Sequence, residues 1–220
     1  APVVEARAAA RRVAHAAAVD RLIEVLDGIS EPIATGPGLG ATAWGDLAPA
    51  HEALRRRGAA SLLVATGPTV DPSGATCLGA LDAADALRAG LDSELLGEGE
   101  LGARIATGGV GALLLSAVAR AEDGSVVVPA GGAGLAALAR FAAIPLVLVA
   151  TPMRERPAEG ATELAARVSA YAAVRARRPA AARGVSRGTR IVAPRVDLLD
   201  AAALGRPGRT GARTTVVVVG

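Results

Sequence analysis

The strongest constraint in this sequence is a rhythm. Short runs of valine, leucine, isoleucine and alanine recur, separated by alanine-rich stretches of helical length. "PIAT" (32–35), "SLLVAT" (61–66), "VGALLLS" (110–116), "VVVP" (126–129) and "IPLVLVA" (144–150) are largely apolar rather than alternating. A strand that is apolar on both faces has to be covered on both, as in a parallel sheet between two helical layers. The intervening stretches include "ATCLGALDAADALRAG" (75–90) and "LAALARFAA" (135–143) and have the length of crossover helices. The expected fold class is α/β, a mainly parallel Rossmann-like sheet with helices on both faces. "RIVAP" (190–194) and "TTVVVVG" (214–220) are further candidate strands, and the stretch from 152 to 190 reads as helical.

One helix is expected ahead of this rhythm, over residues 3–27. Val13, Val19, Leu22, Ile23 and Leu26 fall on or near one side of it, and Glu5, Arg12, Arg21 and Glu24 stay in water. Gly28 and Pro32 mark its end. The expected division is an N-terminal helix over 1–30 and one α/β domain over 31–220. A chain of 220 residues, 51% hydrophobic and 20% charged, can bury a full core. All 24 of its basic residues are arginine, which together with the alanine content reads as a GC-rich coding sequence. Arginine counts therefore carry little functional weight. Cys77 is the single cysteine and His15 and His51 are the only histidines, so neither a disulfide framework nor a metal site is expected. No window approaches the ~20 apolar residues of a membrane span, and arginines interrupt the N-terminal stretch, unlike a secretory signal. A cytoplasmic, soluble protein is the expectation. The net charge of +3 gives no argument for nucleic acid. The stretch 175–190 holds six arginines but no aromatic residue to stack on bases, so it reads as a solvated surface.

The glycine clusters are the candidate ligand turns. "GPGLGA" (36–41), between a strand and a helix, has the form of a dinucleotide fingerprint. The acid that should end the next strand and bind a ribose is missing from "SLLVATGP", which favours a generic anion site. A second cluster, Gly131, Gly132 and Gly134, opens a helix after "VVVP". It is either a phosphate cradle or simply a tight turn. The acid–base candidates are Asp46, His51, Asp71, Glu122 and Asp123. Asp71 and Asp123 fall in loops at the carboxyl ends of strands, where open α/β sheets bind ligands, although both also sit in ordinary turn sequences. His51 is expected on the surface of its helix, and Cys77 as a buried small hydrophobe.

Several of these stretches carry a resemblance. "VGALLLSAVARAEDGSVVVPAGGAGLAALARFAAIPLVLVATP" (110–152) is similar, without a gap, to the signature segment of the initiation-factor-2B-like family. That family includes methylthioribose-1-phosphate isomerase and ribose-1,5-bisphosphate isomerase. "LLVATGPTVDPSGATCLGAL", "TGPGLGATAWGDLAPAHEALRRRGA" and "IVAPRVDLLDAAAL" followed by "TTVVVV" resemble further family segments, so that the likeness covers most of residues 31–219. It implies a fold like that of the NagB, RpiA and CoA-transferase proteins.

The departures decide what else it implies. The family's catalytic aspartate falls on Val118, and its catalytic cysteine on or beside Gly36. Its Asn-Lys pair falls on Val128 and Pro129, and its loop arginine on Gly67. A valine carries no proton and a glycine no nucleophile. The resemblance therefore implies a diverged, non-catalytic member that keeps the frame. Its expected ligand is a phosphorylated sugar or nucleotide, held by Gly36, Gly38, Thr42, Gly131, Gly132 and Arg154. No cofactor and no metal are expected. The expected partner is a second copy or a related subunit, for which Trp44, Phe141 and Tyr171 are the aromatic anchors. An isomerase with a relocated catalytic set around Asp71, Asp123 and Arg154 is the alternative.

Overall fold

The computed structural model describes residues 2–36, 47–67, 77–117, 119–150, 163, 196–205 and 214–218. Its elements, in chain order, are α1 (Pro2–Leu26), β1 (Ile33–Thr35), α2 (Ala48–Arg56), β2 (Ser61–Ala65), α3 (Leu78–Arg88), β3 (Asp92–Leu96), α4 (Glu98–Ala106), β4 (Ala112–Ala117), β5 (Ala119–Arg120), β6 (Val126–Pro129), α5 (Gly132–Phe141), β7 (Leu146–Ala150), β8 (Val196–Leu199), α6 (Ala201–Gly205) and β9 (Thr214–Val218).

Six strands form one sheet in the order β3-β2-β1-β4-β7-β9, and every neighbouring pair is parallel. This is the doubly wound α/β arrangement that the apolar runs imply. The chain winds outward from β1 through β2 to β3, then crosses back to continue from β4 on the other side of β1. Side-chain alternation along β1 and β4 splits the core in two. Ile33, Ala112 and Leu114 pack under α1, α2 and α3 with Leu22, Leu54 and Leu62. Ala34, Leu113 and Leu115 pack under α4 and α5 with Leu101, Ile105 and Leu135. The second half of α1 belongs to the first of these layers, since Ala18, Val19, Leu22 and Leu26 are all buried in it.

Two elements depart from the sequence reading. "VVVP" forms β6, but outside the main sheet, in a small antiparallel sheet of order β5-β6-β8. The glycine cluster after it therefore does not follow a main-sheet strand. The strand β3 has no apolar run to announce it. It lies at the sheet's edge, and Asp92, Glu94 and Leu95 are exposed while Leu96 is buried.

An ion network ties α1 to α2. The Glu52 carboxylate lies 2.7 Å from His15 Nε2 and 2.5 Å from an Arg56 guanidinium nitrogen. The hydrogen bond to His15 lowers its pKa, burial opposes this, and Arg56 adds to the lowering. A carboxylate held below its unfolded value contributes stability that is fully present above that value and is lost as pH falls through the folded one. Glu52→Gln is therefore expected to flatten the acid limb of the stability–pH curve below the ordinary glutamate range. It should leave stability near neutrality within about 1 kcal/mol of the parent, because the group is partly solvated. Urea melts from pH 3 to pH 7 would check this.

Candidate functional site

The topology selects one place on this sheet. Between β1 and β4 the winding direction reverses, and in open α/β sheets the carboxyl ends of strands at such a switch point leave a crevice for ligands. Thr35 and Gly36 end β1 there, and Ser116 and Ala117 end β4. The Gly36 amide donates to the Leu114 carbonyl at 2.8 Å, extending the ladder one residue past the strand. Gly36 is buried, and a β-carbon on it would lie 2.1 Å from Leu115 Cδ2 and 3.7 Å from Leu135 Cδ1. Any side chain at this position would require Leu115 to move, and Leu115 is itself fully buried.

The first turn of α5 approaches the same place on the α4/α5 face of the sheet. A β-carbon on Gly132 would come within 2.8 Å of Val128 Cγ2 and 3.9 Å of Leu115 Cδ1. The two glycine clusters of the sequence thus converge on one leucine. Gly131 takes φ 92°, a left-handed conformation that glycine adopts without strain, and caps the helix with no side chain of its own. The missing cap comes from β8 instead. The amides of Gly131 and Ala133 both donate to Asp197 Oδ2, at 2.8 and 3.0 Å. The helix end that sequence reading assigns to a phosphate thus already holds a carboxylate, and an incoming anion there would meet like charge.

On the α2/α3 face a cluster of buried polar side chains lies at this end of the sheet. Thr35 Oγ1 donates to Asp82 Oδ2 at 3.0 Å, and His51 Nε2 lies 3.2 Å from Asp82 Oδ1. All three residues are buried. Among the described residues neither His51 ring nitrogen makes an aligned hydrogen bond, although Nε2 lies within ion-pair distance of Asp82. Placement of His51 corrects the sequence expectation. The surface of α2 was to carry it, but α2 packs against α1 and α3, and its Ala50, Ala53 and Leu54 share a core cluster with Ile33, Leu62 and Val64 of the sheet. Pro49, Ala50, His51, Ala53 and Leu54 are consequently all buried. The sequence signal that could have flagged it is its place in the first turn of the helix that follows the β1 loop, next to the carboxyl edge.

The other sequence candidates are placed as follows. Asp123 is exposed in the β5–β6 turn, where its Oδ1 accepts a hydrogen bond from the Ser125 amide at 2.8 Å and Gly124 takes φ 85°. Cys77 is half-buried at the start of α3. Gly38, Thr42, Asp46, Asp71, Val118, Arg154, Trp44, Tyr171 and the arginine-rich stretch 175–190 lie outside the described residues. Among the described residues no group of three histidine, cysteine, aspartate or glutamate side chains could hold a metal ion, and no helix is long and apolar enough to cross a membrane.

No protein-family model and no curated protein matches the chain. Solved structures do. The 5-methylthioribose 1-phosphate isomerase of Pyrococcus horikoshii superposes with a TM-score of 0.65 at 18% identity, over 84% of this chain and 51% of that one. The delta subunit of translation initiation factor eIF-2B from A. fulgidus gives 0.60 at 15% identity, over 82% and 52%. A Pyrococcus horikoshii translation initiation factor eIF-2B gives 0.52 at 16% identity, over 68% and 50%. The chain has the fold shared by these isomerase and initiation-factor proteins, and it spans about half the length of the structures it matches.

Proposed function

We propose that this chain is a diverged member of the initiation-factor-2B-like and sugar-phosphate isomerase family that binds a phosphorylated sugar or nucleotide at the β1/β4 crevice without isomerising it. The observation that supports the reading is the topological switch point between β1 and β4, where Gly36 follows β1. Gly36, the position on or beside which the family's cysteine falls, has no side chain, and one placed there would displace Leu115; the family's aspartate position is Val118. Asp197 keeps a phosphate away from the α5 turn. The reading assigns the phosphate contacts to Gly38, Thr42 and Arg154, the remaining candidates of the sequence. Association with a second copy or a related subunit completes the reading. Phe141, 79% exposed at the end of α5, is an aromatic anchor suited to that contact. The relocated catalytic set is less well supported, because Asp123 is already committed to its turn.

A thermal-shift panel tests the proposal. It would contain ribose 1,5-bisphosphate, 5-methylthioribose 1-phosphate, AMP, sugar monophosphates, NAD(P) and inorganic phosphate. A ligand at ~100 times its Kd contributes about 2.7 kcal/mol, or roughly 5–10 °C in a domain of this size. A shift with sugar phosphates or AMP, none with NAD(P), and no product on prolonged incubation are the expected results. A flat panel would sink the ligand half of the reading.

A further inference from the structure

The strand β3 closes one side of the main sheet. It pairs with β2 and with no other described strand. Its inner side is occupied. The Asp92 amide donates to the Ala60 carbonyl at 3.0 Å, and the Leu96 carbonyl accepts from the Thr66 amide at 2.7 Å. In a parallel ladder, alternate residues turn both backbone groups to the same neighbour, so Asp92, Glu94 and Leu96 face β2. Ser93 and Leu95 turn their amides and carbonyls outward, where no described strand meets them.

Side chains along this edge sort by face. Glu94 pairs with Leu63, and Leu63 and Leu96 belong to the core layer under α4 and α5, so Asp92 and Glu94 stand on that side. Both are exposed. Glu94 and Glu100 share Arg104, at 2.7 and 3.5 Å. With Asp92, that leaves three carboxylates around one guanidinium. The other face of the edge is apolar. Ser93 Oγ donates to the Ala83 carbonyl at 3.3 Å, so α3 lies over β3 there. Leu95 on this face is 42% exposed, and Leu87, one turn along α3 from Ala83, is 57% exposed.

Acidic side chains on an edge strand oppose pairing with a second copy of that strand, because like charges would meet. The same charges favour a strand of opposite sign. We propose that β3 is a docking edge for an extended peptide of another protein in which arginine or lysine alternates with apolar residues. Such a peptide adds a strand to the sheet through backbone hydrogen bonds to Ser93 and Leu95. Its side chains alternate between the two faces. The basic ones then meet Asp92, Glu94 and Glu100, and the apolar ones cover Leu95 and Leu87. Because β2 separates β3 from β1, docking here does not depend on a ligand at the β1/β4 crevice.

Amide hydrogen exchange on the full chain tests this, with a short peptide alternating arginine and valine as the probe. The Ser93 and Leu95 amides are expected to exchange freely in the protein alone and about ten-fold more slowly with saturating peptide, the scale of one hydrogen bond gained. The Asp92 and Glu94 amides, turned to β2, should not change. A peptide of the same composition with its arginines contiguous, and one with glutamate in place of arginine, should each bind about five-fold more weakly or worse. Glu94→Arg is expected to reverse the preference toward the glutamate peptide. Leu95→Pro removes an outward amide, a change that edge strands accept, and should weaken binding about ten-fold at an unchanged melting temperature. Should that variant melt early, the charge reversal at the exposed Glu94 still decides. Binding without protection of Ser93 and Leu95, equal binding of the contiguous-arginine peptide, or no binding at all would overturn the proposal. So would amides already protected in the protein alone, or protection that rises with protein concentration, which would give the edge to a second copy.

Discussion

Gly111→Ala is expected to cost the protein about 3 kcal/mol or more, while the same exchange at Gly134 is expected to stabilise it by up to about 1 kcal/mol. Gly111 precedes β4, and its amide donates to the Pro32 carbonyl at 2.8 Å. A β-carbon there would lie 1.6 Å from the Ser30 carbonyl oxygen and 2.5 Å from the Ser30 carbonyl carbon. Those are backbone atoms and cannot rotate away, so the amino ends of β1 and β4 would have to separate. That would disturb the two strands whose carboxyl ends make the crevice. Gly134 lies in the first turns of α5, is exposed, and would meet nothing within 4 Å. There the exchange only removes the excess backbone freedom of an unfolded glycine. Urea melts of both variants would read the two signs directly. A Gly111→Ala protein as stable as the parent would mean that the β1–β4 approach is looser than the geometry requires.

Asp197→Ala is expected to lower stability by about 2 kcal/mol, the scale of a lost N-cap whose acceptor is charged and serves two amides. That corresponds to a fall in Tm of roughly 4–8 °C. Asp197→Asn keeps an acceptor oxygen but not the charge that favours a helix N-terminus, so about half of the loss should return. The carboxylate reaches α5 from β8, which pairs with β6 through Val128 and Asp197, and thereby ties the small sheet to the helix covering the large one. Equal stability of the alanine variant and the parent would show that Gly131 and Ala133 find another acceptor.

Both predictions rest on contacts between distant parts of the chain, Ser30 with Gly111 and Asp197 with Gly131 and Ala133, and such contacts are what the sequence does not display. The apolar runs that became β1, β2, β4 and β7 were legible, because a strand buried on both faces writes its environment into consecutive residues. The alanine-rich helices between them followed from length and period, and the parallel topology followed from their alternation. The turn at Asp123 was also readable, since its partner Ser125 is two residues away.

What the sequence did not disclose depends on partners far along the chain. β3 escaped because an edge strand exposed on most positions lacks the apolar signature. "VVVP" reads as a strand in either sheet, and only its pairing with β8, some seventy residues on, assigns it to the small one. The cap of α5 joins residues 64 and 66 positions apart, and the Thr35–Asp82 bond spans 47. His51 looked like a surface residue because nothing in the α2 sequence tells that α1 folds back over it. Local sequence sets which backbone segments can form and which faces must be covered. The satisfaction of each buried polar group is settled only when distant segments meet, and in this protein that step turned one glycine cluster into a capped helix end and brought Asp82 to Thr35 at the end of β1.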